Sequence, residues 1–419
     1  MRYLLAAAFA AGIVVAGQAH AADLVMATKA PPAPAAPAWT WTLDNQAEYA
    51  SWGSGRGFPS TALGPAHGSQ FYNPFGLSGS GSLTSNWNLD VVARGGYVDA
   101  SQTLGKFGGT VSTATDTTLS ATTTYTGFGG WMPYATLMAN LPTGDSVLSG
   151  TRTFARMDPD LVPVALYGEG FNIGPTLGVQ IPVNSELTVI VNSGLTWRGA
   201  YYKEGAFAAA TATTGLPILI NPSQIWTSAV TGVWKHDKWT VQGTASYAME
   251  DTNYVSHAIS YRAGDRLTLS GSGSYAWDGG WTTTADGYFV HSARNDVPSV
   301  LAPLVLVPEA LDSNNDVFRI NLQHLYTMPY AGGTLTAGPI GSFLYRDANS
   351  WDPTTLLFIP AKTLYYLGAT ATYMPSKSFS MNGRVERIWM DVNSAPGSAV
   401  PSFGTDGWLA SFTLTLNAP

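Results

Sequence analysis

Arg266-Leu267-Thr268-Leu269-Ser270-Gly271-Ser272-Gly273-Ser274-Tyr275-Ala276-Trp277 decides the fold. Leu267, Leu269, Gly271, Gly273, Tyr275 and Trp277 form one set, and Arg266, Thr268, Ser270, Ser272 and Ser274 the other. An apolar side chain at every second residue is the period of a strand with one greasy and one wet face. The same period recurs along the chain. Trp39, Trp41, Leu43, Ala47 and Tyr49 alternate with Thr40, Thr42, Asp44, Gln46 and Glu48. Trp87, Leu89, Val91, Ala93 and Tyr97 alternate with Asn88, Asp90 and Arg94. Phe379, Met381, Gly383 and Val385 alternate with Ser380, Asn382, Arg384 and Glu386. Trp408, Ala410, Phe412, Leu414 and Leu416 alternate with Ser411, Thr413 and Thr415.

Composition says what the apolar face meets. The chain is 45% hydrophobic and 12% aromatic, yet only 11% charged. Soluble domains carry about 25% charged residues. Beyond its start the chain has no apolar run long enough for a membrane helix. A barrel reconciles the two, because each strand shows only alternate side chains to lipid. The expected fold is therefore all-β: a transmembrane, antiparallel, up-and-down β-barrel spanning 39–419.

The N-terminal residues predict export. Arg2 is followed by an apolar run from Leu4 to Gly17 and by Ala19-His20-Ala21. That is the pattern of a secretory signal peptide, residues 1–21, cleaved after Ala21. The run, about 14 residues, is shorter than the roughly 20 a spanning helix needs. Pro31, Pro32, Pro34 and Pro37 then break residues 22–38 into an extended periplasmic lead-in that cannot join a sheet. The destination is a bacterial outer membrane.

Turn signals give the strand count. Short connections are expected near 81–85, 127–130, 184–185, 236–237, 278–279, 329–332 and 375–377. Longer ones are expected at 53–68, 100–116, 142–172, 201–222, 251–264, 294–315, 347–360 and 392–406. Strict alternation of short and long joins sixteen strands, with both termini on the periplasmic side. Asn73-Pro74 interrupts the strand at 70–80, and if proline ends that strand the count falls to fourteen. Trp131, Trp234, Trp239, Trp277, Trp281, Tyr326, Tyr330 and Trp389 fall near strand ends, where amphipathic rings suit the membrane–water boundary.

By parity the inward ionisable residues are Asp44, Glu48, Asp90, Asp286 and Glu386, with Arg94, Arg198, Arg319 and Arg384. They are either wall charges that filter solutes or a network that braces the wall. The long loop 142–172 carries Asp145, Arg152, Arg156, Asp158, Asp160 and Glu169. Folded into the lumen it would narrow the passage and set a transverse field across it. The alternative is a solvated external loop.

Alternating strands around a long charged third loop resemble the sixteen-stranded general porins. Ala139-Asn140-Leu141-Pro142-Thr143-Gly144-Asp145, ahead of that loop, is similar to a motif of barrels of the phenol-degradation MetA-pathway type. That resemblance implies an outer-membrane protein associated with uptake of hydrophobic or aromatic compounds. Such barrels commonly end on an aromatic residue, whereas this chain ends Leu416-Asn417-Ala418-Pro419.

Three readings follow. The first is a channel for passive passage of small solutes, narrowed by 142–172. The second is a transporter for hydrophobic compounds routed past Met132, Tyr134, Met138, Leu364 and Tyr366. The third is a structural barrel with a closed lumen. Catalysis is not expected: His67, His236, His257, His291 and His324 show no spacing with Ser and Asp, and no metal motif occurs. With no cysteine, thiol chemistry is excluded, and no cofactor or metal is implied. A net charge of −7 points away from nucleic acid. The expected partners are membrane lipid and small solutes. Monomer and homo-oligomer both fit, because lipid-facing and subunit-facing residues are alike apolar.

Overall fold

The structure is a computed structural model. It describes residues 39–55, 66–205, 207–208, 213–256, 258–355, 357–398 and 401–418. The expected signal peptide and lead-in, 1–38, lie outside the described residues.

Sixteen antiparallel strands close into one barrel. They are β1 (Thr40–Ser54), β2 (Ala66–Ser82), β3 (Trp87–Leu104), β4 (Phe107–Ala114 continued by Thr117–Tyr125) and β5 (Met132–Leu141). Next come β6 (Asn172–Pro182), β7 (Leu187–Arg198), β8 (Ile225–His236), β9 (Trp239–Glu250), β10 (Arg266–Ala276) and β11 (Trp281–Ser292). The ring ends with β12 (Val317–Tyr330), β13 (Gly333–Arg346), β14 (Ala361–Ser376), β15 (Phe379–Asn393) and β16 (Phe403–Ala418). β16 pairs back onto β1, with Asp44 opposite Thr415 and Glu48 opposite Ser411. Closure removes the sheet edge, as hydrocarbon demands of any strand that crosses it.

The alternation read from sequence sorts the two faces. Leu43, Tyr49, Phe75, Leu177, Val230, Leu269, Leu322, Leu367 and Phe412 stand exposed on the outer wall. Rings gather at the short-turn end: Trp39 stacks on Trp41 (5.7 Å), Trp239 meets Tyr275 (4.6 Å), and Trp281 meets Tyr326 (4.9 Å). Those spacings suit offset or tilted aromatic pairs in an interfacial belt.

Pro74 does not end its strand. β2 runs through it, paired to Gly96 of β3. The β1 ladder lapses only between Asn45/Phe75 and Glu48/Tyr72. There the Asn73 side-chain amide donates to the Gln46 carbonyl, replacing the N–H that proline lacks. The fourteen-strand alternative is excluded for that reason.

The long connection expected at 100–116 is absent. β3 and β4 continue through it to a two-residue turn at Gly105–Lys106, with Leu104 opposite Phe107. The positive φ of Gly105 (62°) closes that turn. Its Thr- and Val-rich flanks satisfy β-propensity, so polarity alone was a poor sign of a loop. Between Val98/Thr113 and Arg94/Thr118, β3 advances four residues and β4 five, which leaves a one-residue bulge around Thr115 and Asp116.

At the long-loop end, six short strands from three connections pair into a second sheet: Tyr201–Lys203, Ile218–Asn221, Thr252–Val255, Ala258–Arg262, Asp296–Pro298 and Leu306–Pro308. It ties the β7–β8, β9–β10 and β11–β12 connections together.

Candidate functional site: a loop folded into the lumen

The connection between β5 and β6, residues 142–171, turns inward. Its base is closed by Asp116, which sits in the β4 bulge. One carboxylate oxygen accepts from Gly144 N–H (3.0 Å), and the other from Glu169 N–H (2.8 Å) and the Asn140 amide (2.8 Å). Both ends of the loop thus hang on one side chain. The sequence motif 139–145 supplies the rest. Asn140 also donates to the Gly170 carbonyl (2.9 Å), Thr143 to the Thr115 carbonyl (2.8 Å), and Asp145 accepts from Arg152 (2.8 Å). Gly144 is required because a Cβ there would lie 1.7 Å from the Tyr167 carbonyl oxygen.

Inside the lumen a short 3-10 turn, Gly150–Ala155, lies against Gly109 of β4. Tyr167 reaches back to donate to the Ala155 carbonyl (2.8 Å). Burial pushes that phenol up to about 12, with the Arg156 charge opposing. Leu148, Ala155, Met157, Leu161 and Val162 form an apolar cluster with wall residues Ala50, Val98, Ala100, Leu364, Ile388 and Met390. The barrel therefore has a dry core, built between loop and wall. Its edges are pinned by hydrogen bonds. Gln70 exchanges two with the Val164 backbone (2.6 and 2.9 Å), and Trp52 donates to the Met157 sulfur (3.3 Å).

The loop's charges are paired. Arg156 binds Glu204 of the β7–β8 connection (2.7 Å). Burial would raise Glu204, but the hydrogen bond and charge of Arg156 outweigh it and hold the carboxyl below its usual range. Asp158 takes the ammonium of Lys362 on β14. Asp160 takes Arg346 of β13 (3.0 Å) and Lys362 (3.4 Å), while Tyr366 donates to its backbone carbonyl (2.7 Å). Burial would also raise Asp160, and those two cations overcome it. The pairs act as anchors of the loop, and no free row of opposed loop charges spans the opening. Arg152 and Asp145 neutralise each other at a more exposed position.

Starting from β5, the anchors on β13 lie half-way round the ring. Toward the long-loop end, wall side chains on β1–β3 and β13–β15 (Ala50, Gln70, Val98, Leu344, Leu364 and Ile388) are buried. The facing arc is not. On β8–β11, Ser270 and Ser272 are exposed, and Gln242, Thr244, Ser246, Thr268 and Thr284 are half-exposed. Register places them on one continuous inner face: Thr231, Thr244, Ser270 and Tyr288 lie in one row, and Gln242, Ser272, Asp286 and Asn321 in the next.

The same register puts Asp44, Glu48, Asp90, Arg94, Arg198, Asp286, Arg319, Arg384 and Glu386 on that inner face. They do not form one constellation. Arg384 binds Glu386 on its own strand (2.7 Å), and Asp44 accepts from Thr415 (2.6 Å) across the β1–β16 seam. Arg198 donates to the Ser223 carbonyl (2.8 Å) and to Glu250, bracing the rim. Asp286 accepts from Asn321 (2.6 Å), and Arg319 donates to Asn321 (3.0 Å) beside the Tyr366 ring (5.5 Å). Arg94 is exposed, with no hydrogen-bond partner among the described residues.

Of the apolar route, Met132, Tyr134 and Met138 lie on the inner face of β5, while Leu364 and Tyr366 lie beneath the loop. Sequence reasoning missed Asp116, Gln70, Glu204, Arg346 and Lys362. Each bonds to the loop from far along the chain, and periodicity carries no sign of such a contact.

No family model matches the chain, and no curated protein matches it in sequence. Among solved structures it is similar to a BenF-like porin from Pseudomonas fluorescens Pf-5, at 13% identity and TM-score 0.43, over 90% of this chain and 99% of that one. It is also similar to OccAB3 of Acinetobacter baumannii, at 10% identity and TM-score 0.42, over 90% and 99%. A Pseudomonas aeruginosa FadL homologue matches at 9% identity and TM-score 0.40, over 90% of each chain.

Proposed function

We propose that this chain is a passive outer-membrane channel for small, polar, largely uncharged solutes. One observation carries the reading. The inserted loop covers one side of the inner wall and leaves the facing arc lined by exposed and half-exposed hydroxyls and amides. A sixteen-stranded ring is wide enough to keep an aqueous path beside a loop folded against one side. The solute class follows from the lining: with the loop charges paired, exposed Ser and half-exposed Thr and Gln meet the solute and discriminate weakly by sign. Short turns lie on the periplasmic side and the inserted loop enters from outside, following the wiring of exported barrels.

The apolar route needs Leu364 and Tyr366 free, and both are engaged by the loop. A non-catalytic role is supported by where the histidines lie. His236 binds Glu186 in a short turn, His291 binds Asp316, and His324 stacks on Trp281 in the outer belt. These positions leave the inner wall without an imidazole base from any of the three.

The test is a planar-bilayer recording of the purified barrel. A stable ohmic conductance is expected, enlarged by deletion of 150–162. A silent barrel, with the deletion conducting, would replace this reading with a sealed lumen.

A further inference from the structure

Outside the lumen, the long-loop rim of β7–β9 holds a cleft of about 250 Å³. It is lined by Trp197, Asn221, Gln224, Asp251, Thr252 and Tyr254, together with Arg198, Pro222 and Ser223. Alternation fixes which way it faces. Trp197 points away from the lumen, two positions on from Leu195 and one before inward Arg198. Gln224 and Asp251 continue the outer faces of Trp226 and Met249, joined by a bond from Asp251 N–H to the Gln224 carbonyl (3.1 Å). The cleft therefore opens on the outer wall, just beyond the apolar belt that Trp226 and Met249 end.

Arg198 and Ser223 are fixed, and most of the other lining side chains are uncommitted. Arg198 donates to the Ser223 carbonyl (2.8 Å) and to Asn253 (3.3 Å), and its charge is met by Glu250. Asn253 in turn accepts from Ser223 N–H (3.0 Å). This brace holds Asn221–Gln224 against Asp251–Tyr254. Among the described residues, the side chains of Asn221 and Gln224, the hydroxyls of Thr252 and Tyr254 and the Trp197 indole N–H make no hydrogen bond. Donors, acceptors and two aromatic faces line one small cleft. No cation there is free, because Arg198 is spent, so a phosphate finds no counter-charge. Asp251 keeps one carboxylate oxygen available after accepting from Thr252 N–H (2.7 Å).

We propose that this cleft binds a saccharide ring. Hydroxyls satisfy carboxamide, carboxylate and phenol groups at once, and C–H faces pack on Trp197 and Tyr254. The volume lies just below the usual range of ligand sites, about 300–1,000 Å³, and so fits about one ring. If the long-loop end is the external side, as proposed above, the ring is either the sugar headgroup of an outer-leaflet glycolipid or a free sugar.

The purified barrel and the Gln224→Ala/Asp251→Ala variant are compared by native mass spectrometry. One probe is a rough lipopolysaccharide, the other the free oligosaccharide hydrolysed from it. The proposal expects the wild type to retain a probe and the variant to lose it at least tenfold. Retention of the lipid-linked form alone assigns the headgroup as the source, and retention of both assigns the sugar itself. Equal retention by the variant, or none by the wild type, overturns the proposal. Conductance is recorded on the same preparations. The cleft lies outside the lumen, so a barrel that conducts without binding sinks the sugar site alone. One that binds without conducting sinks the channel alone.

Discussion

Arg346 on β13 meets Asp160 of the inserted loop at 3.0 Å, with both side chains almost wholly buried. The loop begins at β5, so this contact reaches half-way round the ring. Removing one partner of a buried pair leaves an uncompensated charge, at a cost of about 3–5 kcal/mol. Asp160→Ala takes the buried carboxylate from Arg346 and leaves Lys362 with Asp158 as its ion partner. Its loop should leave the wall for part of the time, giving larger and noisier single-channel currents. Unchanged currents would mean that the apolar cluster alone holds the loop.

Acid should do reversibly what that substitution does permanently. Asp160 and Glu204 are held below the usual carboxylate range in the docked loop, by Lys362 and Arg346 and by Arg156. A depressed pKa contributes docking free energy that is complete above the usual range and lost as pH falls through the lowered value. Conductance should therefore stay flat from neutral pH down through the ordinary carboxylate range. Below it, the current should rise as the carboxylates protonate. A rise confined to the neutral range would point to other groups.

The barrel was legible because its wall is repetitive. A two-residue period, once seen at 266–277, assigns both faces of every strand, and Asp44, Arg94 and Asp286 fall inward by counting alone. Pro74 was harder, because its repair depends on the Asn73 side chain and on a neighbour across the ladder. The loop's length and charge marked it as worth attention, and its insertion is what the structure adds. What the charges do was not legible. Asp158 reads identically whether it faces open water or Lys362, two hundred residues away in the chain.

Gly109 should be intolerant of any side chain. A Cβ there would sit 2.1 Å from the Thr151 carbonyl oxygen and 3.1 Å from Ala155 N. Backbone on both sides cannot yield cheaply, so Gly109→Ala is expected to push the 3-10 turn off β4. Trypsin reads this directly: Arg152 and Arg156 should become cleavable in the variant under conditions that spare the wild type. Resistance equal to the wild type would show that the turn can shift without undocking.

Asn73 should matter only because of Pro74. Its amide supplies the bond that the Gln46 carbonyl would otherwise lack. Asn73→Leu leaves that carbonyl unpaired in the wall, at a cost of about 1–3 kcal/mol. Adding Pro74→Val restores a backbone N–H at the gap and should recover most of the loss. Urea midpoints of the single and double variants in micelles make the comparison. If the second substitution brings no recovery, Asn73 is working through some other contact.

Arg94 and Arg384 share the inner face yet should respond oppositely to substitution. Arg94 is exposed and lies across Gly76 from Asp44, with the Gly76 Cβ position 3.7 Å from its Cγ. Arg384 holds Glu386, which is 1% exposed. A solvated charge acts on passing ions, whereas a charge that covers a buried carboxylate acts on the wall. Arg94→Glu should move the reversal potential in a KCl gradient toward cation preference and leave thermal unfolding where it was. The shift should be greater in dilute salt, because the screening length grows from about 3 Å at 1 M to about 30 Å at 0.01 M. Arg384→Gln should lower the unfolding temperature, since it uncovers Glu386. An Arg94 variant that unfolds early without altered selectivity would place that residue among the braces and leave the arc of hydroxyls as the sole discriminating surface.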